Sequence, residues 1–217
     1  MKNGGSNVLE RYRLDEIALI VASLTTPHIS NDSNIGQPFV TAENLNWLAL
    51  DGDIHQLPKL NDTKCAKVPA KTIILAKNDV GQTKKYIFQC QQEVYIANDL
   101  VAIIPNESII LSDYLYFFLH WYQPTSDWTR LHQIMLDIPT MAIQTNIVQL
   151  LKTSQLLLKN KHALLEAVEE LPQHIKNITK QTEQHTSQLN HGFDRLQTVY
   201  QVALHKIFTG ELYQMKP

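Results

Sequence analysis

Between Lys59 and Tyr86 the chain carries seven lysines, at positions 59, 64, 67, 71, 77, 84 and 85, against two carboxylates, Asp62 and Asp79. Ammonium groups at that density suit a polyanion, because each meets a phosphate oxygen as a point charge and releases a condensed counterion. Amides lie among them and just before them: Gln56, Asn78 and Gln82. A basic strip of this kind can meet phosphates. A solvated lysine face is the other use of the same charges.

Signatures of catalysis are missing. The chain has no glycine-rich phosphate loop, no GxSxG elbow and no Asn-Pro-Pro-Tyr stretch. Its nine histidines and two cysteines, Cys65 and Cys90, form no HExxH or CxxC pair, so neither a catalytic residue nor a metal site is expected. His120 and His132 flank the aromatics Phe117, Phe118, Trp121, Tyr122 and Trp128. Packing between helix and sheet is the expected role of those rings; a pocket between Trp121 and Trp128 is the enzyme reading. The sparse cysteines fit a reducing, cytoplasmic setting. No apolar run approaches the ~20 residues that cross a bilayer. The opening MKNGGSNVLERYR lacks a signal-peptide core.

The elements that must position the lysines come next. Residues 1–140 hold 11 basic and 15 acidic side chains, a net of −4, whereas residues 141–217 hold 8 against 6, a net of +2. The basic cluster thus sits in an acidic domain. Within residues 1–140 a helix or strand is expected over Arg13–Ser23, and a short strand over Pro38–Thr41. A turn is expected at Asp51-Gly52, and strands over Val68–Leu75, Lys85–Gln89 and Val94–Ile96. Leu100–Ile104 reads as a buried strand stopped by Pro105, and Ser112 as the N-cap of a helix through Leu115, Phe118 and Leu119. This predicts an α+β protein, with a mixed α/β domain of many short strands ahead of a long helical region.

That helical region, Ile143–Phe208, carries apolar residues every three or four positions. The seam expected from the spacing includes Ile147, Leu150, Leu157, Leu164, Val168, Leu171, Leu196 and Ala203. Unbroken, such a helix is roughly 100 Å long at about 1.5 Å per residue, and its stripe asks for a partner helix. A homodimer through this region is the expectation; a helical hairpin that buries its own stripe is the alternative. Pro172 and Gly192 are the candidate breaks.

Six stretches in this order resemble the specificity (S) subunit of type I restriction-modification systems. They are YRLDEIALI (12–20), GQPFVTAENL (36–45), KTIILAKNDVGQ (71–82), NDLVAIIP (98–105) followed by Tyr114-Leu115, LDIPTMAIQ (136–144) and IFTGEL (207–212). The resemblance spans nearly the whole chain. It implies a target-recognition domain over residues 1–140 and a conserved helical dimerisation and spacer region over 141–217. A full S subunit carries two of each, so the chain resembles half a subunit. Two departures stand out: Ala70-Lys71 occupies the place of the family's Gly-Asp pair, and Thr125-Ser126-Asp127 replaces a usual glycine. The resemblance further implies duplex DNA, methyltransferase (M) subunits and a restriction (R) subunit as partners. On that reading the DNA-contacting residues are Lys59, Lys64, Lys67, Lys77, Asn78, Gln82, Lys84 and Lys85, with lysines on phosphates and Asn78, Gln82 and Gln56 at base edges, where an amide pairs bidentately with adenine. S-adenosylmethionine would belong to the methyltransferase, so no cofactor is expected in this chain. The competing function is a coiled-coil scaffold that binds proteins and not DNA.

Overall fold

A computed structural model describes residues 9–23, 25, 36–61, 65–77, 86–124, 128–169 and 183–209. The chain enters through strand β1 (Glu10–Arg13) and one helical turn, α1 (Leu14–Ile17). The Glu16 carboxylate accepts the Arg13 N–H at 2.7 Å, which starts the turn. Leu14 and Ile17 are fully buried, and the turn runs straight into strand β2 (Ala18–Ala22). The sequence expectation of a helix or a strand over Arg13–Ser23 resolves into both.

Two four-stranded sheets follow. The second is built from β3 (Gln37–Val40), β4 (Lys59–Leu60), β5 (Ala66–Val68) and β8 (Val94–Ile96). The first combines β2 with β6 (Ile73–Ala76), β7 (Ile87–Gln89) and β9 (Leu100–Pro105). Strand order is β2-β9-β6-β7 in the first sheet and β4-β3-β8-β5 in the second. All pairs are antiparallel except β3 with β8. Strand β9 lies inside its sheet, and Leu100 to Ile103 are all fully buried, as a continuous apolar run requires when both faces are covered. One core cluster draws on both sheets: Val40, Val68, Ile74, Val94, Ile96, Leu100 and Ala102 pack with Leu45 and Leu48 of a helix, α2 (Ala42–Ala49). Strand β1 instead pairs with β10 (Met135–Ile138), Glu10 opposite Ile138.

Several sequence expectations change. Val68–Leu75 is two strands, because Pro69–Thr72 forms a turn in which Lys71 takes φ +68° and donates its N–H to Cys90 O at 2.7 Å. Asn44–Ile54 holds more than a turn. Thr41 opens α2, with Asn44 Oδ1 accepting its N–H at 2.9 Å, and Asp51-Gly52 closes it. Asp51 has φ +71°, and Gly52 N–H reaches back to Trp47 O at 2.9 Å. Ser112 is the first residue of helix α3 (Ser112–Tyr122) rather than its N-cap, which is Leu111. The nearby Ser112 hydroxyl and N–H help hold the Glu107 carboxyl low, which favours a carboxylate at the helix start.

Gln144 completes that helix start. Its side chain is fully buried, accepts Leu111 N–H at 2.8 Å and donates to Ile109 O at 3.0 Å and Pro139 O at 2.9 Å. Replacing Gln144 by leucine keeps much of the volume and takes from Leu111 N–H, Ile109 O and Pro139 O, the last of them buried, the partner that its amide supplies. The expected loss is about 2 kcal/mol, read as a fall of roughly 4–8 °C in a thermal melt.

The described residues divide into two compact units between Gln144 and Thr145. The second is helical: α4 (Met141–Glu169) begins at its border, and α5 is Glu183–Phe208. On α4, Ile147, Val148 and Leu151 are buried, whereas Leu150, Leu156 and Leu157 are 54%, 60% and 42% exposed. On α5, Leu204 and Ile207 are buried, Ala203 is half-buried, and Val199 and Val202 are exposed. The expected seam therefore falls on two faces of α4, with Ile147 on the buried one and Leu150 and Leu157 on the open one. Leu171 and the side chains of Leu164, Val168 and Leu196 lie outside the described residues, as does the expected break at Pro172. Among the described residues no helix is long and apolar enough to cross a membrane.

Candidate nucleic-acid interface

The lysines do not form one strip. Strands β4 and β5 are opposite edges of the second sheet, so Lys59 on β4 and Lys67 on β5 stand about three strand spacings apart, roughly 14 Å. Lys71 precedes β6 and Lys77 follows it, which separates them by about 20 Å along the strand. Two of these four are already paired with carboxylates: Lys67 Nζ lies 2.7 Å from Glu93, and Lys71 Nζ lies 2.6 Å from Glu107. Both ammonium groups are held above their ordinary titration range by those hydrogen bonds. Lys64, Asn78, Gln82, Lys84 and Lys85 lie outside the described residues. Gln56 is exposed on a short 3-10 turn, Ile54–Gln56.

Lys77 is the exception. Its Nζ donates to Ser23 O at 3.1 Å and to Asn98 O at 2.5 Å, and it lies 5.1 Å from the ring centre of Trp128. Its backbone N–H is taken by Asp99 O at 2.8 Å. Asp99 in turn accepts Ala42 N–H, at the first residue of α2, through its carboxylate at 3.3 Å. Ser23 Oγ donates to Thr25 O at 3.2 Å, and Thr25 Oγ1 stands 3.9 Å from Cys65 Sγ. One corner of the domain thus gathers the end of β2, the start of β5, the end of β6, the β8–β9 turn and the segment starting at Trp128.

The corner residues Thr25, Cys65, Lys77 and Trp128 adjoin in sequence residues 26–35, 62–64, 78–85 and 125–127, which lie outside the described residues. They carry Lys64, Asn78, Gln82, Lys84 and Lys85 in sequence. Because the Lys77 ammonium meets carbonyl oxygens and a ring face, the contacts it makes leave its positive charge in place. The sequence flagged Lys77 for charge alone. Ser23 and Asn98 act through backbone carbonyls, which no side-chain pattern reveals, and Trp128 stood out only as one of several aromatics.

Other features are structural. Cys65 and Cys90 are buried thiols outside any disulfide among the described residues, and burial pushes the Cys90 thiol up to about 12. Among the described residues no group of His, Cys, Asp and Glu is placed to hold a metal ion. An open cleft of about 380 Å³ is lined by Phe39, Thr41, Glu43, Asn44, Trp47 and Pro58, and its one charged lining residue, Glu43, is a poor match for phosphate.

Lys71 and Glu107 give a pH signature. The Lys71 ammonium, then the Ser112 hydroxyl and N–H, hold the Glu107 carboxyl below its ordinary value. A depressed carboxylate contributes stability above its unfolded pKa, about 4.3, and loses it as pH falls through the folded value. The wild-type midpoint is expected to drop faster below pH 4.5 than that of Glu107→Gln, whose melts should be flatter there; parallel curves would remove the assignment.

Residues 9–170 match the family described as "Type I restriction modification DNA specificity domain". Among solved structures the chain is similar to the HsdS subunit from Thermoanaerobacter tengcongensis, at 18% identity and a TM-score of 0.56, over 97% of this chain and 46% of that one. It is also similar to a chain from a structure described as "Structural basis underlying complex assembly and conformational transition of the type I R-M system", at 16% identity and a TM-score of 0.51, over 94% and 47%. At such identities the likeness is one of fold, and the chain spans less than half the length of either structure. No curated protein matches the chain.

Proposed function

The chain belongs to the type I restriction modification DNA specificity family, and from that premise we propose that residues 1–140 recognise a half-site of duplex DNA through the segments rooted at the Lys77 corner. The observation that carries this reading is the convergence of those four roots on one corner. Lys64, Lys84 and Lys85 contact phosphates, and Asn78 and Gln82 read base edges. Lys59 and Lys67 extend the basic surface, Lys67 in balance with Glu93.

Specificity subunits are generally non-catalytic, and we assign no catalytic residue here. Methylation and cleavage fall to methyltransferase and restriction subunits docked on this one, and S-adenosylmethionine binds the methyltransferase. Residues 141–217 serve as the dimerisation and spacer region. The exposed Leu150 and Leu157 on α4 support a second copy as the partner: an isologous pair restores two recognition domains about a two-fold axis.

The test is selection from a pool of random duplexes by the full chain, alone and with a methyltransferase subunit of a type I system. Enrichment of a two-part sequence with a fixed spacer supports the reading. No enrichment in either setting sinks it and leaves the protein-only scaffold. For the second copy, Leu150→Lys with Leu157→Lys is expected to convert a dimer into a monomer in light scattering at unchanged helix content; a dimer that survives would move the seam elsewhere.

A further inference from the structure

We propose that the open cleft beside α2 takes an arginine side chain of a protein partner, held between the Trp47 indole and the Glu43 carboxylate. The inference goes beyond DNA recognition and uses residues that have no part in it. Glu43 and Trp47 lie four positions apart on α2, so one turn of helix brings carboxylate and indole to the same side. Phe39 from β3 and Pro58, just ahead of β4, add apolar surface to the lining.

The indole is exposed but backed. It is 41% exposed, yet a Cβ built on Gly52 would fall 2.6 Å and 2.7 Å from two of its carbons. Gly52 N–H also donates to Trp47 O at 2.9 Å. The ring therefore rests against the Gly52 backbone while part of it stays in water. A large ring so placed is the kind of residue that anchors a partner, because it gives much contact area for little lost freedom.

Charge chooses the occupant. The N–H groups at the start of α2, which would draw an anion, are taken: Asn44 Oδ1 accepts the one on Thr41 at 2.9 Å, and the Asp99 carboxylate the one on Ala42 at 3.3 Å. Glu43 is the one charged lining residue, and among the described residues it enters no ion pair. Lys59, next to Pro58 in the sequence, does not line the cleft. A carboxylate beside an indole calls for a cation with a flat face. A guanidinium answers both at once: its edge donates two parallel hydrogen bonds to a carboxylate, and its plane stacks on an aromatic ring. An ammonium has no such plane. Because the cleft is open, a free small cation would keep most of its water there. The apolar stem of an arginine, and the protein surface that carries it, would cover the exposed Pro58 and the rest of the indole.

The test labels the full chain with fluorotryptophan and follows the fluorine signals of Trp47, Trp121 and Trp128, with Trp47→Phe identifying the first. The probe is the peptide acetyl-Leu-Arg-Leu-amide. Its controls are the same peptide with citrulline for arginine, which keeps the shape and loses the charge, and methylguanidinium alone. The arginine peptide is expected to move the Trp47 signal to saturation and to leave the other two in place. Glu43→Gln should weaken that binding roughly threefold to fivefold, and citrulline should weaken it at least as much. If Glu43→Gln does not fold, the citrulline comparison decides with no substitution at all.

No movement of the Trp47 signal up to roughly 10 mM peptide overturns the inference. Equal binding of the citrulline peptide overturns it too, since the cleft would then take apolar surface without regard to charge. Methylguanidinium that binds as well as the peptide would make this a site for a free small cation. A duplex oligonucleotide that moves the Trp47 signal would assign the cleft to DNA. Each of these outcomes leaves the Lys77 corner to be judged on its own experiment.

Discussion

Replacing Gly36 by alanine is expected to lower the thermal midpoint by roughly 6–12 °C, the equivalent of about 3 kcal/mol in a chain of this size. Gly36 has φ +129°, a region that side-chain-bearing residues rarely occupy. A Cβ built there falls on the carbonyl oxygen of Leu60 and 2.6 Å from its carbon. Both obstacles are backbone, so no rotamer change clears them. Relief requires moving Leu60 and Asn61, and that opens the β3–β4 pairing, in which Gln37 faces Leu60 and Phe39 N–H donates to Pro58 O at 2.8 Å. Strand β4 is an edge with two residues, so it has little pairing to hold it in place. Gly52→Ala is the control. Its Cβ would fall 2.6 Å and 2.7 Å from two indole carbons of Trp47, a side chain that is 41% exposed, so a side chain rather than backbone must shift. That variant should lose less than Gly36→Ala, about 1–2 kcal/mol. Equal losses at the two positions would mean that the β3–β4 edge yields as readily as a surface indole.

What the sequence shows and what it hides follow from how each contact is made. Strand β9 was legible because burial on both faces demands an unbroken apolar run, and Leu100 to Ile104 supplies one. The strand over Pro38–Thr41 was legible from its own β-rich residues, and the structure places it at Gln37–Val40. Helix α2 was not. Its eight residues bury only Leu45 and Leu48, too few for a period to emerge, and its capping amide is Asn44 where Glu or Gln is the usual signal. The break in Val68–Leu75 was hidden for a related reason: the left-handed residue of the turn is Lys71, with no glycine to announce it.

The candidate site divides in the same way. Counting lysines along the chain gave their charge but not their separation, because one strand of β6 places Lys71 and Lys77 at opposite ends of a sheet. Glu93 and Glu107, the partners of Lys67 and Lys71, come from segments 26 and 36 residues away in the chain. Gln144 was visible as one letter of a family stretch. Its role required Leu111 and Ile109, more than thirty residues upstream. Local patterns reveal elements; the polar contacts between distant segments, which locate a binding corner, appear only once the sheets are assembled.

The triple variant Lys64→Ala, Lys84→Ala and Lys85→Ala is expected to weaken duplex binding by on the order of 100-fold at low salt, taking about 1 kcal/mol per phosphate contact. It should also reduce the salt slope by about 2.7, three contacts at about 0.9 each. These lysines sit in the segments that leave the Lys77 corner, whereas Lys67 and Lys71 face carboxylates. The matching variant at the paired positions, Lys67→Ala with Lys71→Ala, removes two positive charges and leaves Glu93 and Glu107 unpaired. If net charge alone drove binding, the double variant should lose about two-thirds of what the triple loses. If phosphates meet the corner, the double variant should lose much less, with a slope close to that of wild type. Matching the two salt series therefore separates a localised interface from a diffuse field, which decays within a Debye length of about 8 Å at physiological salt. A triple variant that keeps wild-type affinity and slope would move the phosphate contacts away from this corner, to Lys59 or to residues 141–217, whose net charge is +2.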